Sequence, residues 1–421
     1  MQNFLATLTG KTIQLLLKFR RGGGQALPGL VIEKVFPGYV ASMLSRLPEG
    51  VVIITGTNGK TTTTKIVVHL LERSGKKVIT NSTGSNLIRG IASSLARHAT
   101  IGGRLRYDIA VLEIDEATAR LLVQRVRPRW VLGLNVSRDQ LDRFGEIDTV
   151  AAHVKVTMHA AEAGVITNAD DPNLVKAAFR IANVHYFGSA PRLKKFFPSD
   201  YELAAVNKAR AAVKRPSKVD VELEGFKDQQ VDYMIDGRVY KTRLKLSGQH
   251  NYLNGAAALA LCHRLLPSVP IESLIERLAN VSLAFGRGEK YRLKNGSVIE
   301  LVLVKNPASF TQALSSYAGK DASLMVAIND NIADGRDVSW LWDVNFQPLH
   351  GRRILVTSGT RAADMALRLS YEHIETLNVQ PHLIKALKIL DQAPGPKVVL
   401  STYTAMLQLY NYLSKKGQKV V

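Results

Sequence analysis

Apolar runs and helical patterns alternate along residues 51–170 in a way that predicts a layered α/β domain. Short and almost wholly apolar runs occur at Val51–Thr55, Lys77–Thr80, Ile109–Ile114, Trp130–Val136 and Gly164–Thr167. After the first of these runs, Thr61–Ser74 carries apolar residues at helical spacing and ends at Gly75. Strands that are apolar on both faces and alternate with helices are typical of a mainly parallel sheet covered on both sides. We therefore predict an α/β fold with a central, mainly parallel sheet.

Residues 1–50 precede this pattern and are interpreted as a lead-in packed on the first domain. Ile13, Leu16 and Leu17 predict a short helix, which stops at the run Arg20–Gly24. Three glycines in that run favour a turn or a close backbone approach. The glycines beside two arginines are either a flexible connection or an anion contact.

Residues 185–247 break the rhythm and predict a β-rich insertion. Val219–Glu224 and Val231–Leu246 alternate as antiparallel strands do. Asp236-Gly237 is a favourable hairpin turn, because glycine tolerates the positive φ that such a turn requires. Basic residues between 194 and 218 form either a solvated face or a contact for an anionic ligand.

A second, smaller α/β domain is predicted after a boundary near residue 286. Its apolar strands are predicted at Ile299–Val304, Ser323–Ile328, Arg353–Thr357 and Val398–Leu400. Helical patterns occupy Ala362–Ser370 and Thr404–Leu413. The predicted organisation is a lead-in at 1–50, a first domain at 51–286 and a second domain at 287–421.

Composition narrows the class of protein. The 421 residues are 46% apolar and 22% charged, which excludes a disordered, collagen-like or coiled-coil chain. The single cysteine, Cys262, lies in an apolar helical run, so it predicts a buried core thiol and excludes a disulfide framework. No apolar run is as long as a membrane-spanning helix requires, and the N-terminus lacks a signal-peptide pattern. We expect a soluble, intracellular protein.

The charge balance is the unusual feature of the composition. With 56 basic and 35 acidic residues, the formal net charge is +21. Such a surplus attracts polyanions such as nucleotides, nucleic acid, phospholipid headgroups or pyrophosphate-bearing substrates, and it does not choose among them.

The segment between the first strand and the first helix has the features of a phosphate-binding loop. Its two glycines let backbone N–H groups turn inward, and the helix N-terminus adds its positive dipole end. Lys60 can reach the β- and γ-phosphates, and the Thr61 hydroxyl can bind Mg²⁺. The candidate ATP-binding residues are Gly56, Thr57, Asn58, Gly59, Lys60, Thr61 and Thr62.

A carboxylate for the metal is expected at the end of a neighbouring strand. Glu113 lies at the end of the run Ile109–Ile114, where an open parallel sheet presents its ligands. Mg²⁺ bound to a nucleotide usually takes a carboxylate from the protein. We predict that Thr61 and Glu113 bind Mg²⁺, while Asp115 and Glu116 follow on the same loop.

Six motifs resemble those of the Mur ligase family and occur in the family's order. They are GTNGKTTTT at 56–64, NSTGSNLIRG at 81–90, the strand at 111–116, NADDP at 168–172, HNYLN at 250–254 and GR at 286–287. The resemblance implies a ligase that uses ATP and Mg²⁺, with Lys60 and Glu113 as catalytic residues. It also implies that Asn254 and Arg287 bind ATP and that Asn81, Ser85 and Asn86 contact the substrate.

Longer stretches resemble the MurT branch of this family and together cover most of the chain. They are GGGQALPGL at 22–30, RDQLDRFGE at 138–146, VKNP at 304–307, NDNIADGRDVSWLWDVNF at 329–346, SGTRAADMALRL at 358–369 and STYTAML at 401–407. Gln140 and Lys305 stand where many Mur ligases have histidines. Residues 185–247 contain no cysteine, although many MurT proteins carry a four-cysteine zinc ribbon there, so zinc is not expected.

The MurT resemblance implies amidation of the D-glutamate α-carboxyl group in the lipid II stem peptide. An acyl phosphate would form from ATP, and ammonia would come from a GatD-type glutaminase partner in a heterodimer. It further implies that an aspartate of the second domain completes the Cys-His pair of that partner. Asp337 and Asp343 are the candidates, with a preference for Asp337, and Asp334 is a third possibility. We expect a cytoplasmic protein in peripheral contact with the inner face of the membrane and no nucleic-acid partner.

Three alternatives share some of these features. A Mur-type or folylpolyglutamate synthase-like amino-acid ligase would have the same ATP loop, but the 329–346 motif argues against it. A basic nucleic-acid-binding ATPase would explain the charge, although no recognised nucleic-acid motif accompanies it. A scaffold that only binds ATP would retain the loop without turnover.

Overall fold

A computed structural model describes residues 2–19, 27–81, 87–137, 147–197, 213–246, 248–281, 287–293, 295–317 and 321–420. These residues form two compact units. The first comprises 2–136, 147–194 and 213–281, and the second consists mainly of 287–420. Each unit is built on a mainly parallel sheet with helices, which confirms the predicted α/β class.

The first unit holds a nine-stranded sheet within its described residues. The strands are β1 Val51–Thr55, β2 Val78–Thr80, β3 Ile109–Glu113, β4 Trp130–Gly133, β5 Gly164–Asn168, β6 Val184–Ser189, β7 Val221–Lys227, β8 Gln230–Ile235 and β9 Arg238–Arg243. Their order is β2-β3-β1-β4-β5-β6-β7-β8-β9, and the neighbours from β2 to β7 run parallel. β1 lies between β3 and β4, and all three strands are buried along their whole length. Their carboxyl ends therefore meet at one edge.

Helices cover this sheet. They are α1 Gln2–Phe19, α2 Leu27–Val35, α3 Tyr39–Leu44, α4 Lys60–Glu72, α5 Ile88–His98, α6 Glu116–Leu122, α7 Ile147–His159, α8 Pro172–Ala177, α9 Gln249–Leu265 and α10 Ile271–Ala279, with a 3₁₀ turn at Pro191–Phe196. The first α4 residue follows the end of β1 after only four loop residues.

The lead-in forms more helix than its apolar spacing predicts. α1 begins at Gln2, about three turns before Ile13. Its inner face carries small or polar residues: the Thr7 hydroxyl lies 2.9 Å from the Tyr39 hydroxyl, and Asn3 donates to Ser42 over 2.9 Å. Gly10 packs so closely on α2 and α5 that a Cβ would come within 2.7 Å of Ile32 and Ala96. Since these contacts involve no apolar repeat, the hydrophobic pattern does not reveal them.

The predicted β-rich insertion is an extension of the same sheet. β7, β8 and β9 pair antiparallel, and the predicted turn at Asp236-Gly237 has φ values of +48° and +80°. As predicted, the stretch Val231–Leu246 forms antiparallel strands that meet at this turn. Arg215, one of the basic residues of this region, binds Asp170 and Glu222 over 2.7 Å each. The Arg215 side chain therefore stabilises the fold through these ion pairs.

The second unit also holds a sheet. Its strands and α-helices are β10 Arg287–Leu293, β11 Val298–Leu303, α11 Pro307–Tyr317, β12 Ser323–Ala327, β13 Arg353–Ile354, β14 Val356–Ser358, α12 Ala362–Tyr371, β15 Glu375–Thr376, α13 Leu383–Gln392, β16 Lys397–Ser401, α14 Tyr403–Lys416 and β17 Gly417–Val420. Within the described residues the sheet has six strands in the order β14-β12-β16-β11-β10-β17. The prediction of a single strand at Arg353–Thr357 was wrong. Its first part pairs with β15 in a separate two-stranded sheet, and only β14 joins the main sheet.

Candidate active site

Gly56–Gly59 form a tight loop between β1 and α4, and both glycines are required by the backbone. Gly56 has a φ of +129° and Gly59 a φ of +86°. A Cβ at Gly56 would lie 2.9 Å from the Asn135 backbone, and one at Gly59 would lie 2.5 Å from Asn254 Oδ1. The loop is thus fitted between the end of β4 and the start of α9, with α4 presenting its N-terminus behind it.

Asn135 fixes the shape of this loop. Its Oδ1 accepts from the Asn58 N–H over 2.8 Å, and its Nδ2 donates to the Asn58 carbonyl over 2.9 Å. Its own carbonyl accepts from the Thr57 N–H over 2.9 Å. The motifs in the sequence did not single out this residue. Its position two residues beyond β4, at the carboxyl edge beside β1, is the signal that points to it.

Asn135→Ala should weaken ATP binding while leaving the fold intact. Two hydrogen bonds and a fixed loop conformation would be lost, so we expect the Kd for ATP to rise by about tenfold. Asn183→Ala is the matched control, because its amide also holds a loop carbonyl, that of Ala163 over 2.6 Å, at the opposite edge of the sheet. Calorimetric titration with a non-hydrolysable ATP analogue measures both variants. An unchanged Kd for Asn135→Ala would show that Asn135 does not hold the loop in the conformation that binds ATP.

Lys60 begins α4 with its side chain buried over the loop. Its Nζ donates to the Gly56 carbonyl over 2.5 Å and to the Thr57 carbonyl over 3.4 Å. Glu116 Oε1 lies 3.8 Å from the same Nζ. Two loop carbonyls and a nearby carboxylate therefore hold the ammonium group over the loop.

Glu116 is a second residue whose importance the sequence did not reveal. It is 4% exposed, and within the described part of the chain its Oε1 has no hydrogen-bond partner. Asp115 before it caps α6 by accepting from the Thr118 N–H over 2.8 Å, and burial raises the pKa of its carboxyl group. The pKa of the nearby His153 is lowered, mainly by burial and to a smaller extent by the positive charge of Arg120. Glu116 is thus the carboxylate that balances Lys60.

Glu113 and Thr61 lie together at the carboxyl ends of β3 and β1. The Thr61 hydroxyl donates to Glu113 Oε1 over 2.7 Å. Asn81 brackets Glu113: its Nδ2 donates to the Glu113 carbonyl over 2.7 Å, and its Oδ1 accepts from the Glu113 N–H over 2.9 Å. Hydroxyl and carboxylate oxygens beside a phosphate loop are the hard ligands that Mg²⁺ prefers, so this pair fits the ion.

Asn81 also has a structural role that the sequence did not predict. It is 3% exposed, and both ends of its amide hold the Glu113 backbone. It positions the carboxylate, and the predicted substrate contact stays a prediction. Ser85 and Asn86, predicted with it, lie outside the described residues, as do the arginine-glycine run after Phe19, the 138–146 motif with Gln140, and the Arg287 side chain.

The HNYLN motif at 250–254 begins α9 beside the phosphate loop. Asn254 contacts Gly59, and its Nδ2 lies 3.5 Å from Asn251 Oδ1. Tyr233 OH donates to the Tyr252 carbonyl over 2.8 Å, which ties the helix to β8. This places Asn254 against the loop, as an ATP-binding role requires.

The NADDP turn at 168–172 serves as a brace for the same edge. Asp171 accepts from the Val136 N–H over 2.6 Å and from the Asn173 N–H over 2.9 Å, which caps α8. Asn168 Nδ2 donates to the Leu134 carbonyl over 3.2 Å. These contacts hold the segment that carries Asn135. The motif therefore supports the phosphate loop indirectly, from the end of β5.

In the second unit, the three candidate aspartates have different surroundings. Asp334 is 6% exposed, and its carboxylate accepts from the N–H and the hydroxyl of Thr404 over 2.7 and 2.5 Å. Asp337 is half-buried and accepts from the Ser339 N–H over 2.8 Å, and Asp343 is exposed. Asp334 is thus committed to its own fold, while Asp337 and Asp343 have carboxylates that another protein can approach.

Two tryptophans flank these aspartates in different ways. Trp340 is 5% exposed and packs against Phe310, whereas Trp342 is half exposed and stacks edge-on with Tyr371 at 5.2 Å. The single cysteine, Cys262, which was predicted to be a core thiol, is wholly buried, and burial raises the pKa of its thiol far above the usual range. The prediction of a core thiol is confirmed.

Comparisons with known proteins match both units. Residues 54–262 match the Mur ligase middle domain, and residues 303–406 match the MurT ligase C-terminal domain. The lipid II isoglutaminyl synthase (glutamine-hydrolyzing) subunit MurT of Streptococcus pneumoniae is 31% identical, over 98% of this chain and 97% of that protein.

Solved structures support the fold. A pseudomurein peptide ligase type C from Methanothermus fervidus aligns over 90% of this chain and 80% of its own, with a TM-score of 0.69 and 18% identity. MurF ligase from Thermotoga maritima in complex with ADP aligns over 92% and 84%, with a TM-score of 0.64 and 18% identity. At these identities the likeness concerns the fold alone, and it confirms the predicted ligase fold class.

Proposed function

This chain belongs to the MurT branch of the Mur ligase family of ATP-dependent ligases, and from that premise we propose that it amidates the D-glutamate α-carboxyl group of the lipid II stem peptide. The observation that carries the proposal is the 31% identity, along nearly the whole of both chains, with a protein named as the MurT subunit of a glutamine-hydrolysing lipid II isoglutaminyl synthase. The phosphate loop supports the ATP-dependent part independently.

The first step transfers a phosphoryl group to the carboxylate. A carboxylate oxygen attacks the γ-phosphorus of ATP, ADP leaves, and an acyl phosphate forms. Both reactants are anions, so the repulsion between them must be reduced. Lys60 supplies a buried positive charge, and the loop N–H groups supply further donors. Thr61 and Glu113 would hold Mg²⁺, which contributes charge neutralisation when it is bound.

The second step replaces phosphate with nitrogen. Ammonia attacks the acyl carbon, phosphate leaves, one proton is released, and the product is the isoglutamine amide. The only cysteine of the chain is buried in α9, so it cannot serve as a glutaminase nucleophile. We propose that a GatD-type glutaminase subunit supplies ammonia and that Asp337 or Asp343 orients the histidine of its Cys-His pair.

We place the protein at the cytoplasmic face of the membrane, because the proposed substrate is lipid-linked and the net charge is +21. Within the described part of the chain, none of the helices is both long and apolar enough to cross a bilayer. We propose that the contact with the membrane is peripheral.

The substrate and nitrogen donor are tested together by product analysis. The purified chain is incubated with ATP, Mg²⁺ and lipid II, with either ammonium or a panel of amino acids, and the stem peptide is analysed by mass spectrometry. We expect a mass decrease of about one unit with ammonium, because an amide NH₂ replaces a carboxyl OH. Addition of an amino-acid residue, without amidation by ammonium, would instead identify an amino-acid ligase.

Glu113→Gln should lower turnover by about a hundredfold at limiting Mg²⁺, because a neutral amide is a poorer ligand for a hard cation. The variant keeps an acceptor for the Thr61 hydroxyl, so the fold should be retained. Glu222→Gln is the control, since this carboxylate pairs with Arg215 in the same unit. The Mg²⁺ dependence of ADP release is measured for both. If Glu113→Gln and the original chain have the same Mg²⁺ midpoint and the same rate of ADP release, Glu113 does not bind the metal.

A further inference from the structure

α1 presents large apolar side chains to solvent along one side. Phe4, Leu5, Leu8, Leu15 and Leu16 are 40%, 45%, 44%, 57% and 63% exposed. At 100° per residue these five positions, here called the α1 stripe, fall within an arc of about 120° and span about 18 Å of helix. They lie on one side of the helix, in two groups separated by the exposed Thr12.

The opposite side of α1 holds the helix on the protein through small and polar groups. Ala6, Thr7 and Gly10 are buried there, and Gln14 donates to the Ser93 carbonyl over 3.0 Å. A helix that served only its own core would place its largest apolar residues inward. α1 does the reverse, and with respect to the described residues the stripe is exposed, as an apolar surface that binds another apolar surface is.

Basic side chains border the stripe along the edge that faces α5. Lys11 lies at that edge, and its Nζ donates to the Arg97 carbonyl over 3.1 Å, which places it at the C-terminal end of α5. The Arg97 side chain itself is exposed.

The turn at 100–104 adds to the same surface beside the start of α1. A Cβ at Gly103 would come within 2.9 Å of the Asn3 carbonyl, so the turn lies against the first residues of the helix. This turn presents Arg104 and the 68% exposed Ile101. An apolar surface bordered by cations results.

We propose that the α1 stripe inserts into the interfacial region of an anionic lipid bilayer, with Lys11, Arg97 and Arg104 at the headgroups. An apolar stripe flanked by cations on a helix that does not span is the pattern of an interfacial membrane helix. The net charge of +21 matches a negative membrane surface. The choice of a bilayer over a protein rests in part on the proposed function, in which the substrate is itself anchored in a membrane.

Vesicle binding by the full chain tests this. Binding is measured by co-sedimentation with phosphatidylcholine vesicles, with and without one-quarter phosphatidylglycerol, at physiological salt. We expect binding that depends on the anionic lipid. Leu15→Ser/Leu16→Ser should lower the partition coefficient at least about tenfold, because two side chains lose their apolar burial. Leu121→Ser/Phe179→Ser is the control, since these residues are 52% and 67% exposed elsewhere on the same unit.

Several results would overturn the inference. They are absence of binding to anionic vesicles, equal loss in the stripe and control variants, or a dimer in sedimentation analysis that only the stripe variant dissociates. The last would identify a second copy of the chain as the occupant. Both variants should keep the affinity for an ATP analogue, which establishes that they are folded.

Turnover separates this inference from the proposed function. If amidation occurs on a soluble stem-peptide substrate without a lipid tail, the stripe variant should retain it. If the original chain amidates none of the substrates, the proposed function is rejected, while the result of the vesicle experiment still stands. Amidation without vesicle binding would reject only the membrane surface.

Discussion

Lys60→Ala is expected to abolish ATP-dependent turnover, with a loss of about a thousandfold or more. Its buried ammonium lies over the phosphate loop, 2.5 Å from the Gly56 carbonyl and 3.8 Å from Glu116. Removal of the positive charge leaves the repulsion between the γ-phosphate and a carboxylate offset only by the loop N–H groups and by Mg²⁺ when it is bound. It also leaves Glu116 buried without its cation. ADP release in the presence of lipid II, Mg²⁺ and ammonium measures the effect.

Lys76→Ala is the matched control for this prediction. Lys76 follows the other end of α4 and pairs with Glu49, so its removal also breaks an ion pair in the same unit. We expect turnover of this variant to stay close to that of the original chain. Lys60→Ala that is folded by circular dichroism and still releases ADP at a comparable rate would show that the loop is not the catalytic phosphate site.

Asp337→Asn should separate the two nitrogen sources of the complex. In the complex with a GatD-type subunit, glutamine-driven amidation should fall by about a thousandfold, because an amide cannot stabilise the charged histidine of the partner. Amidation driven by free ammonium should be unchanged, since the ligase site is intact. Asp337 is half-buried, and its Oδ1 accepts from the local N–H of Ser339, a role that an asparagine oxygen can also fill.

Two further variants make the assignment decisive. Asp343→Asn tests the second candidate, and Asp364→Asn is a control on an exposed carboxylate of α12. A selective loss in Asp343→Asn alone would transfer the role to Asp343. Equal loss with glutamine and ammonium in both candidates would indicate structural damage and contradict a triad role for either aspartate.

The elements that the sequence predicted well are those whose own side chains determine them. β1, β3 and β5 are apolar on both faces, so their burial is evident from composition alone. The turn at Asp236-Gly237 was predictable because few residue types accept positive φ. α1 was underestimated, because its docking depends on Thr7 and Gly10, whose roles arise only from the neighbouring helices.

The same distinction holds for the site. The phosphate loop and Glu113 were predictable, because glycines, a lysine and a strand-end carboxylate carry their chemistry in the sequence. Asn135 and Glu116 were not, because their contacts join loops and helix ends that are far apart in the chain. Asn81 was predicted by resemblance to contact substrate, but its amide holds the Glu113 backbone, a contact that only the pairing of β2 with β3 brings about.

Transfer of an isotopic label tests the central claim most directly. Lipid II is prepared with ¹⁸O in both oxygens of the D-glutamate α-carboxyl group and incubated with the chain, ATP, Mg²⁺ and ammonium. The account predicts that each turnover moves one ¹⁸O atom into inorganic phosphate, because the carboxylate oxygen attacks the γ-phosphorus before ammonia displaces it. Release of ADP with unlabelled phosphate, or no ADP release at all, would contradict it.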